Sequence, residues 1–226
     1  MSTELPTALP EPVDMGLSVK WAPWNIGAAD PTQCGQYFAW ADDQPDKDCF
    51  TWQTYKWIDP PADRAKYINK YQVPDNDFEA TWYYTGNYTL FIGDYLSTLE
   101  PADDVATQLW GPQWRTPTKE EFEELLDPNN CTWTLCTAPS NPDVQGSLVV
   151  SRITGNSIFL PCAGFVSAII RSHLNIEGAY WSASIDPNHT PMTFYLQLSF
   201  RIMGRNERLG CANRMVGMSL RAVCDD

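Results

Sequence analysis

Hydrophobic and polar positions change their rhythm near the middle of the chain. Leu17-Ser18-Val19-Lys20-Trp21 alternates as a half-buried strand does, and Asn25-Ile26-Gly27 closes it as a turn. From Gln33 to Asp94 many aromatics, Tyr37, Phe38, Trp40, Trp52, Tyr55 and Trp57 among them, are broken by Pro and Asp with no 3.6-residue period. That pattern predicts large packed loops with aromatic anchors. Asp103 to Trp110 predicts a short helix with acidic residues at its start, ended by Gly111-Pro112. The clearest helix follows Thr116-Pro117: Thr118 caps it, Glu121 completes the capping box, and Phe122, Leu125 and Leu126 form the buried stripe up to Asp127-Pro128. Beyond it the period is that of strands, at Thr132 to Thr137, Ser147 to Ile153, Ser157 to Pro161, Ala179 to Ser184, Thr193 to Phe200 and Gly217 to Val223.

The elements predict an α+β fold: antiparallel sheet, few short helices and long irregular loops. No repeat and no low-complexity linker divides the 226 residues, so 13–226 reads as one domain behind a mobile, Pro-punctuated lead-in at 1–12. The lead-in has neither a basic n-region nor an apolar h-region, which is expected of a protein made without export or of one whose leader has been removed. No stretch approaches the ~20 apolar residues that span a bilayer, so membrane insertion is not expected.

Charge narrows the partners. A formal net charge of -13 opposes a phosphate backbone, so nucleic acid is not expected as a ligand. The acidity lies mainly before residue 130; from Ser151 onward the chain is nearly neutral to slightly basic, and its basic residues are all Arg. The seven cysteines, at 34, 49, 131, 136, 162, 211 and 224, form no paired metal-site spacing. They read as buried thiols, with one or two disulfides as the alternative. Gln44-Pro45-Asp46 has the composition of a calcium-lectin sugar loop, but lies early and lacks a later Trp-Asn-Asp, so it reads as a turn. His173 and His189 sit in loops with no nucleophile at a recognisable spacing, and Glu120, Glu121, Glu123 and Glu124 read as a solvated helix face. No catalytic residue, cofactor or metal is expected.

Several phrases occur in a telling order: Val13 to Ala22, Tyr37-Phe38-Ala39-Trp40, Trp114-Arg115-Thr116-Pro117-Thr118, Phe122-Glu123-Glu124-Leu125, Asn156 to Pro161, Gly164-Phe165, Tyr180-Trp181-Ser182-Ala183-Ser184 and Arg214 to Val223. As an ordered set, covering residues 13 to 224, they resemble the paralogous C-type-lectin-like domain of gut Bacteroidetes and their phages, related in fold to formylglycine-generating enzymes. Some members of that family are variable proteins of diversity-generating retroelements, in which codons near the C-terminus are rewritten while the scaffold stays fixed. The family frame Asn-Arg-x-x-Gly-x-Ser-Val-Arg-Pro-Val is met here as Asn213-Arg214-Met215-Val216-Gly217-Met218-Ser219-Leu220-Arg221-Ala222-Val223.

The resemblance implies a ligand-binding surface over about 165–224, made of the residues between the frame positions. Before the Tyr-Trp strand these are Ile169, Ile170, Arg171, His173, Asn175 and Glu177; after the Phe-Tyr-Leu strand they are Arg201, Met203, Arg205, Asn206, Glu207 and Arg208. Met215 and Val216 join them, as does Met218, for which the core is the alternative because alternation puts it on one face with Leu220. Such a mixture suits a protein epitope, with Arg201, Arg205 and Arg208 as anchors, or a glycan, on a cell surface or phage tail. Two other functions fit the same residues. One is a structural subunit of a surface or tail assembly. The other is a formylglycine-type oxidase, for which Cys211 and Cys224 are poorly spaced.

Overall fold

A computed structural model describes residues 9–59, 68–74, 82–84, 89–199 and 207–225. In chain order the elements are β1 (Lys20–Trp21), a single 3₁₀ turn (Trp52–Thr54), β2 (Trp82–Tyr84), β3 (Thr89–Phe91), α1 (Val105–Trp110), β4 (Trp114–Arg115), α2 (Lys119–Leu126), β5 (Cys131–Ala138), β6 (Asn141–Ser151), β7 (Ser157–Pro161), β8 (Phe165–Ser167), β9 (Ile170–Ser172), β10 (Glu177–Ile185), β11 (Met192–Ser199), β12 (Glu207–Asn213) and β13 (Val223–Cys224). Among the described residues every strand ladder is antiparallel. With two short α-helices, the described residues make an α+β or mostly-β architecture. None of their helices is long and apolar enough to cross a membrane.

Local chemistry sets both helices. Asp104 caps α1 by accepting from Ala106 N, and its other oxygen accepts from Thr116 N at 2.7 Å, so one carboxylate joins the helix start to the next strand. In α2 the expected capping box forms: Thr118 Oγ1 accepts from Glu121 N and Glu121 Oε2 accepts from Thr118 N. Arg115 then holds Glu121 from outside through two N–H···O bonds. Phe122, Leu125 and Leu126 are buried as the period predicted.

The sheet β10-β11-β12 partitions the interior. Because alternate strand residues face opposite ways, Ala179 and Trp181 pack with Phe38, Trp40, Tyr71 and Trp110, whereas Tyr180, Leu196 and Leu198 pack with Trp21, Phe122 and Leu125. The β1-β13-β4 sheet ties the two ends of the chain together.

Two predicted strands take a different form. Leu17–Trp21 is a strand only over Lys20–Trp21, because Gly16 turns at φ +68° and brings Val13 back to pair with Trp21 by two backbone bonds. Of Gly217 to Val223 only Val223 lies in a strand. Its neighbours bond in turn to different segments: Gly217 to Val166, Met218 to Phe38, Ser219 to Ala179 and Trp181, Leu220 to Ile26, and Ala222 to Ala22. The segment is threaded through the middle of the molecule, and every residue from Gly217 to Cys224 is buried.

Two arginines follow it inside. Arg221 donates from Nε to Asn25 Oδ1, from one terminal nitrogen to Ala22 O and from the other to Phe159 O, at 2.9 to 3.0 Å. Arg214 donates to Lys70 O and Tyr71 O, with its guanidinium 5.0 Å from the Trp40 ring centre. Both are fully buried, and burial lowers the pKa of each, that of Arg221 to about 10. Carbonyl dipoles take the place of carboxylate partners and lock two distant loops and strand β7 to the C-terminal segment.

The lead-in expectation falls mostly on residues 1–8, outside the described residues; Pro10, just after them, is buried. None of the seven cysteines is in a disulfide, and Cys131, Cys162 and Cys224 are buried. Gln44-Pro45-Asp46 is a turn: Asp46, at φ +46°, donates its N–H to Tyr37 O and accepts from Tyr37 N on its carboxylate.

Candidate functional site

The expected ligand surface divides into a hairpin, its connection to the central sheet, and the edge strand of that sheet. The hairpin pairs β8 with β9 in the register Phe165↔Ser172, Val166↔Arg171 and Ser167↔Ile170. Its turn needs a left-handed residue, supplied by Ala168 at φ +51°. Other segments clamp it on two sides, since Val166 exchanges two backbone bonds with Gly217, and Ala168 exchanges two with Phe50. Gly217 is required there, because a Cβ would lie 2.7 Å from the Phe50 ring. At the base, Gly164 donates to Glu177 O at 2.7 Å, at φ +68°.

On this fixed platform the apolar side chains point outward. Ile169 is 77% exposed, Ile170 62% and Leu174 45%. Roughly 1.5 to 3 kcal/mol is available from burying each such side chain, so the hairpin carries binding energy that the isolated chain does not use. Arg171 lies beside them, exposed, with its guanidinium 4.5 Å from the Tyr37 ring centre. The Tyr37 hydroxyl is itself fixed by donation to Ala163 O. The cation–π contact orients the guanidinium and leaves its N–H edges free to donate. Tyr37 is a partner that sequence reading missed, and no local signal links the two positions.

The connection from β9 to β10 is shaped by two more left-handed residues, His173 at φ +62° and Asn175 at φ +57°. The His173 ring stands 5.3 Å from Phe165, and its Nδ1 is 3.5 Å from Glu177 Oε2, too far for a hydrogen bond. Asn175 turns inward in function, since its Oδ1 accepts from Gln145 N and its Nδ2 donates to Asp143 O. It buckles the loop to β6 while its exposed amide keeps one N–H and one oxygen lone pair unused by these two bonds. Glu177 opens β10 opposite Ser199 and is partly buried.

On the edge strand β12, Arg208 is exposed and its Nε donates to Gln197 Oε1 at 2.9 Å. Arg201, Met203, Arg205 and Asn206 lie outside the described residues, so of the expected arginine anchors Arg208 alone is placed. Glu207 is only 8% exposed, because its side chain takes the α2 side of the sheet; this corrects its assignment to the ligand surface. Met218, at 3%, is a core residue packed with Phe38 and Trp40, and is corrected likewise. Met215 and Val216 are half-buried: Met215 packs beside Val166 on the Tyr37–Phe50–Tyr55 cluster, and Val216 beside Phe165 on the main core. The structure therefore gathers Ile169, Ile170, Arg171, Met215 and Val216 around the hairpin, while Arg208 lies on β12 at the edge of the central sheet.

Burial disfavours the thiolate form at several of the cysteines. Burial pushes the Cys131 thiol up to about 11 and Cys162 to about 12. Burial, with the Asp186 carboxylate beside it, raises Cys211 to about 11, the reverse of what activates a nucleophile. His189 does have a partner, Asp186 Oδ2 at 3.0 Å, but the pair is three residues apart within one turn, with Asp186 buried and His189 exposed. Among the described residues no group of three or more His, Cys, Asp or Glu is arranged to hold a metal ion. No family model, curated protein or solved structure matches this chain.

Proposed function

We propose that this chain is a ligand-binding protein that presents a variable C-terminal surface on a C-type-lectin-like scaffold, at a cell surface or on a phage tail. The observation that carries the reading is the contrast at the β8–β9 hairpin, where a backbone clamped on two sides holds Ile169, Ile170 and Arg171 out into solvent. A pre-positioned apolar tip beside an oriented guanidinium lowers the ordering cost of binding and is the composition of a protein-recognition patch. Frame residues of the resemblance, Arg214, Gly217, Ser219 and Arg221, are all buried, as a scaffold that tolerates change outside it requires. Raised thiol pKa values and the placement of Cys211 and Cys224 in separate sheets support a non-enzymatic role over a formylglycine-type oxidase.

Sequencing the flanking DNA tests this reading. The expected result is a reverse-transcriptase gene and a near-copy of codons 165–224 that differs mainly at adenines, with differences at Ile169, Ile170, Arg171 and Arg208 and none at Arg214, Gly217 or Arg221. Differences scattered equally over frame and hairpin codons, or no copy at all, overturn the diversified surface and leave an assembly domain whose hairpin packs on a neighbour.

A further inference from the structure

The three-stranded sheet β5-β6-β7 has one closed side and one open side. Ser151 N–H donates to Asn156 O and Cys162 N–H to Gln145 O, so the odd-numbered residues of β6 bond toward β7 and the even-numbered ones toward β5. Through the register Thr132↔Val150, Thr134↔Leu148 and Cys136↔Gly146, it is Thr132, Thr134 and Cys136 that direct their backbone groups into the sheet. Cys131, Trp133, Leu135 and Thr137 then turn theirs outward. In keeping with this phase, Cys131 N–H donates to Asp127 O, in the turn after α2. The backbone N–H and C=O of Trp133, Leu135 and Thr137 have no partner among the described residues.

The other long outer strands are covered or charged. Beyond β10, Glu177 O accepts from Gly164, Trp181 N–H donates to Ser219 O and Ala183 N–H to Pro117 O. Beyond β7, Phe159 O accepts from Arg221 and Pro161 O from the Tyr180 hydroxyl. β12 carries Glu207 and Arg208 at its start. β5 has none of these devices: Cys131–Ala138 reads Cys-Thr-Trp-Thr-Leu-Cys-Thr-Ala, with no charge and no proline in a chain of net charge -13. From Thr132 to Thr137 every side chain is exposed or half-exposed. An open edge of this kind is a template for another strand.

The register selects that strand. The outward residues are evenly spaced about Leu135, so a two-fold axis there sets Leu135 of one copy opposite Leu135 of another and Trp133 opposite Thr137 on both sides, each pair exchanging both of its N–H···O bonds. Trp133, its indole N–H already held by Leu125 O, meets a β-branched side chain, which is a favourable cross-strand pair, and Thr134 meets Cys136 on the opposite face. No outward backbone group from Trp133 to Thr137 is left over, and no charge is buried. We propose that β5 pairs with β5 of a second copy of this chain, antiparallel about Leu135, and joins two three-stranded sheets into one across a dimer. Association closes at two copies, because the β7 side of the sheet is already occupied.

Sedimentation velocity of the full chain in reducing buffer tests the proposal. The expected result is a monomer–dimer equilibrium with half-association on the order of 50 µM, as a small interface gives. It tightens with added salt, because each copy is strongly acidic. At dimer concentrations amide exchange slows several-fold at Trp133, Leu135 and Thr137 and little at Thr132, Thr134 and Cys136, whose N–H groups are bonded in the monomer. Leu135→Lys and Leu135→Glu each put like charges opposite one another across the axis, so each alone is expected to be a monomer. An equimolar mixture of the two dimerises again, which separates lost pairing from lost folding. The Ile169→Asp, Ile170→Asp double variant dimerises as the parent does. A parent that stays monomeric at roughly 500 µM, charge variants that dimerise alone as the parent does, or protection that rises elsewhere and not at those three amides each overturns the proposal. So does a dimer lost only in the hairpin double variant, which would assign self-association to the hairpin.

Discussion

Two stretches of the C-terminal third, 165–177 and 214–223, meet at the Val166–Gly217 bridge and invert each other's chemistry. The first holds isoleucines in water; the second holds two arginines in the core. Arg171 and Arg214 sharpen the contrast, since each lies over an aromatic ring, Tyr37 and Trp40, yet one is exposed and the other fully buried. A buried guanidinium is tolerated because it has carbonyl acceptors waiting on distant loops, and an exposed isoleucine is tolerated because a clamped backbone keeps it from collapsing inward. Side-chain polarity alone predicts neither outcome.

The comparison breaks most readily at Arg221. Arg221→Ala leaves Ala22 O, Phe159 O and Asn25 Oδ1 without their donor and opens a cavity, so a loss of about 4 kcal/mol is expected in urea unfolding. A loss below about 1 kcal/mol would show that the threaded segment does not depend on its arginines.

Gly164→Ala tests the hairpin's foundation with a smaller effect. Its φ is +68° and a Cβ would lie 2.1 Å from Ser172 O, a backbone atom that cannot swing aside. About 3 kcal/mol is expected, together with broadened amide signals at Ile169 and Ile170 in an NMR spectrum. Normal stability would mean that the hairpin base is pliable.

The smallest effect is expected at the tip. Ile169→Asp with Ile170→Asp removes the exposed apolar surface and should shift unfolding by no more than about 0.5 kcal/mol. A larger destabilisation, measured by the same urea titration, would show that these side chains support the fold and are not held in reserve for a partner.

How far the sequence reached follows the range of the interactions. The α2 capping box was legible because Thr118 and Glu121 are three residues apart and answer each other directly. Strands β5, β6, β7, β10 and β11 were foreseen from their period, with edges shifted by a few residues. Strand β12 and the β8–β9 hairpin were not, because their sequences mix Arg, Gly and Ile without regular alternation and their pairing depends on β11, Phe50 and Gly217. For the site, Ile169 and Arg171, expected on a ligand surface, are exposed, whereas Glu207, expected there too, lies inside, and Met218 takes the core position that was its alternative. Alternation put Met218 on one face with Leu220, but could not say that both faces of that segment are covered.

The sequence by itself determined what short-range chemistry controls: the caps and stripes of the helices, the turns, most strand periods, the acidic first half and the arginine-only tail. Only the tertiary structure decided which arginines are buried, which isoleucines are free, and that a cleft at the end of α2 joins Trp133 and Arg152 to a strand more than 50 residues later. Burial is a property of what closes over a residue, and here the closing groups, Phe159, Ala22, Lys70 and Tyr71, lie far along the chain from the side chains they enclose.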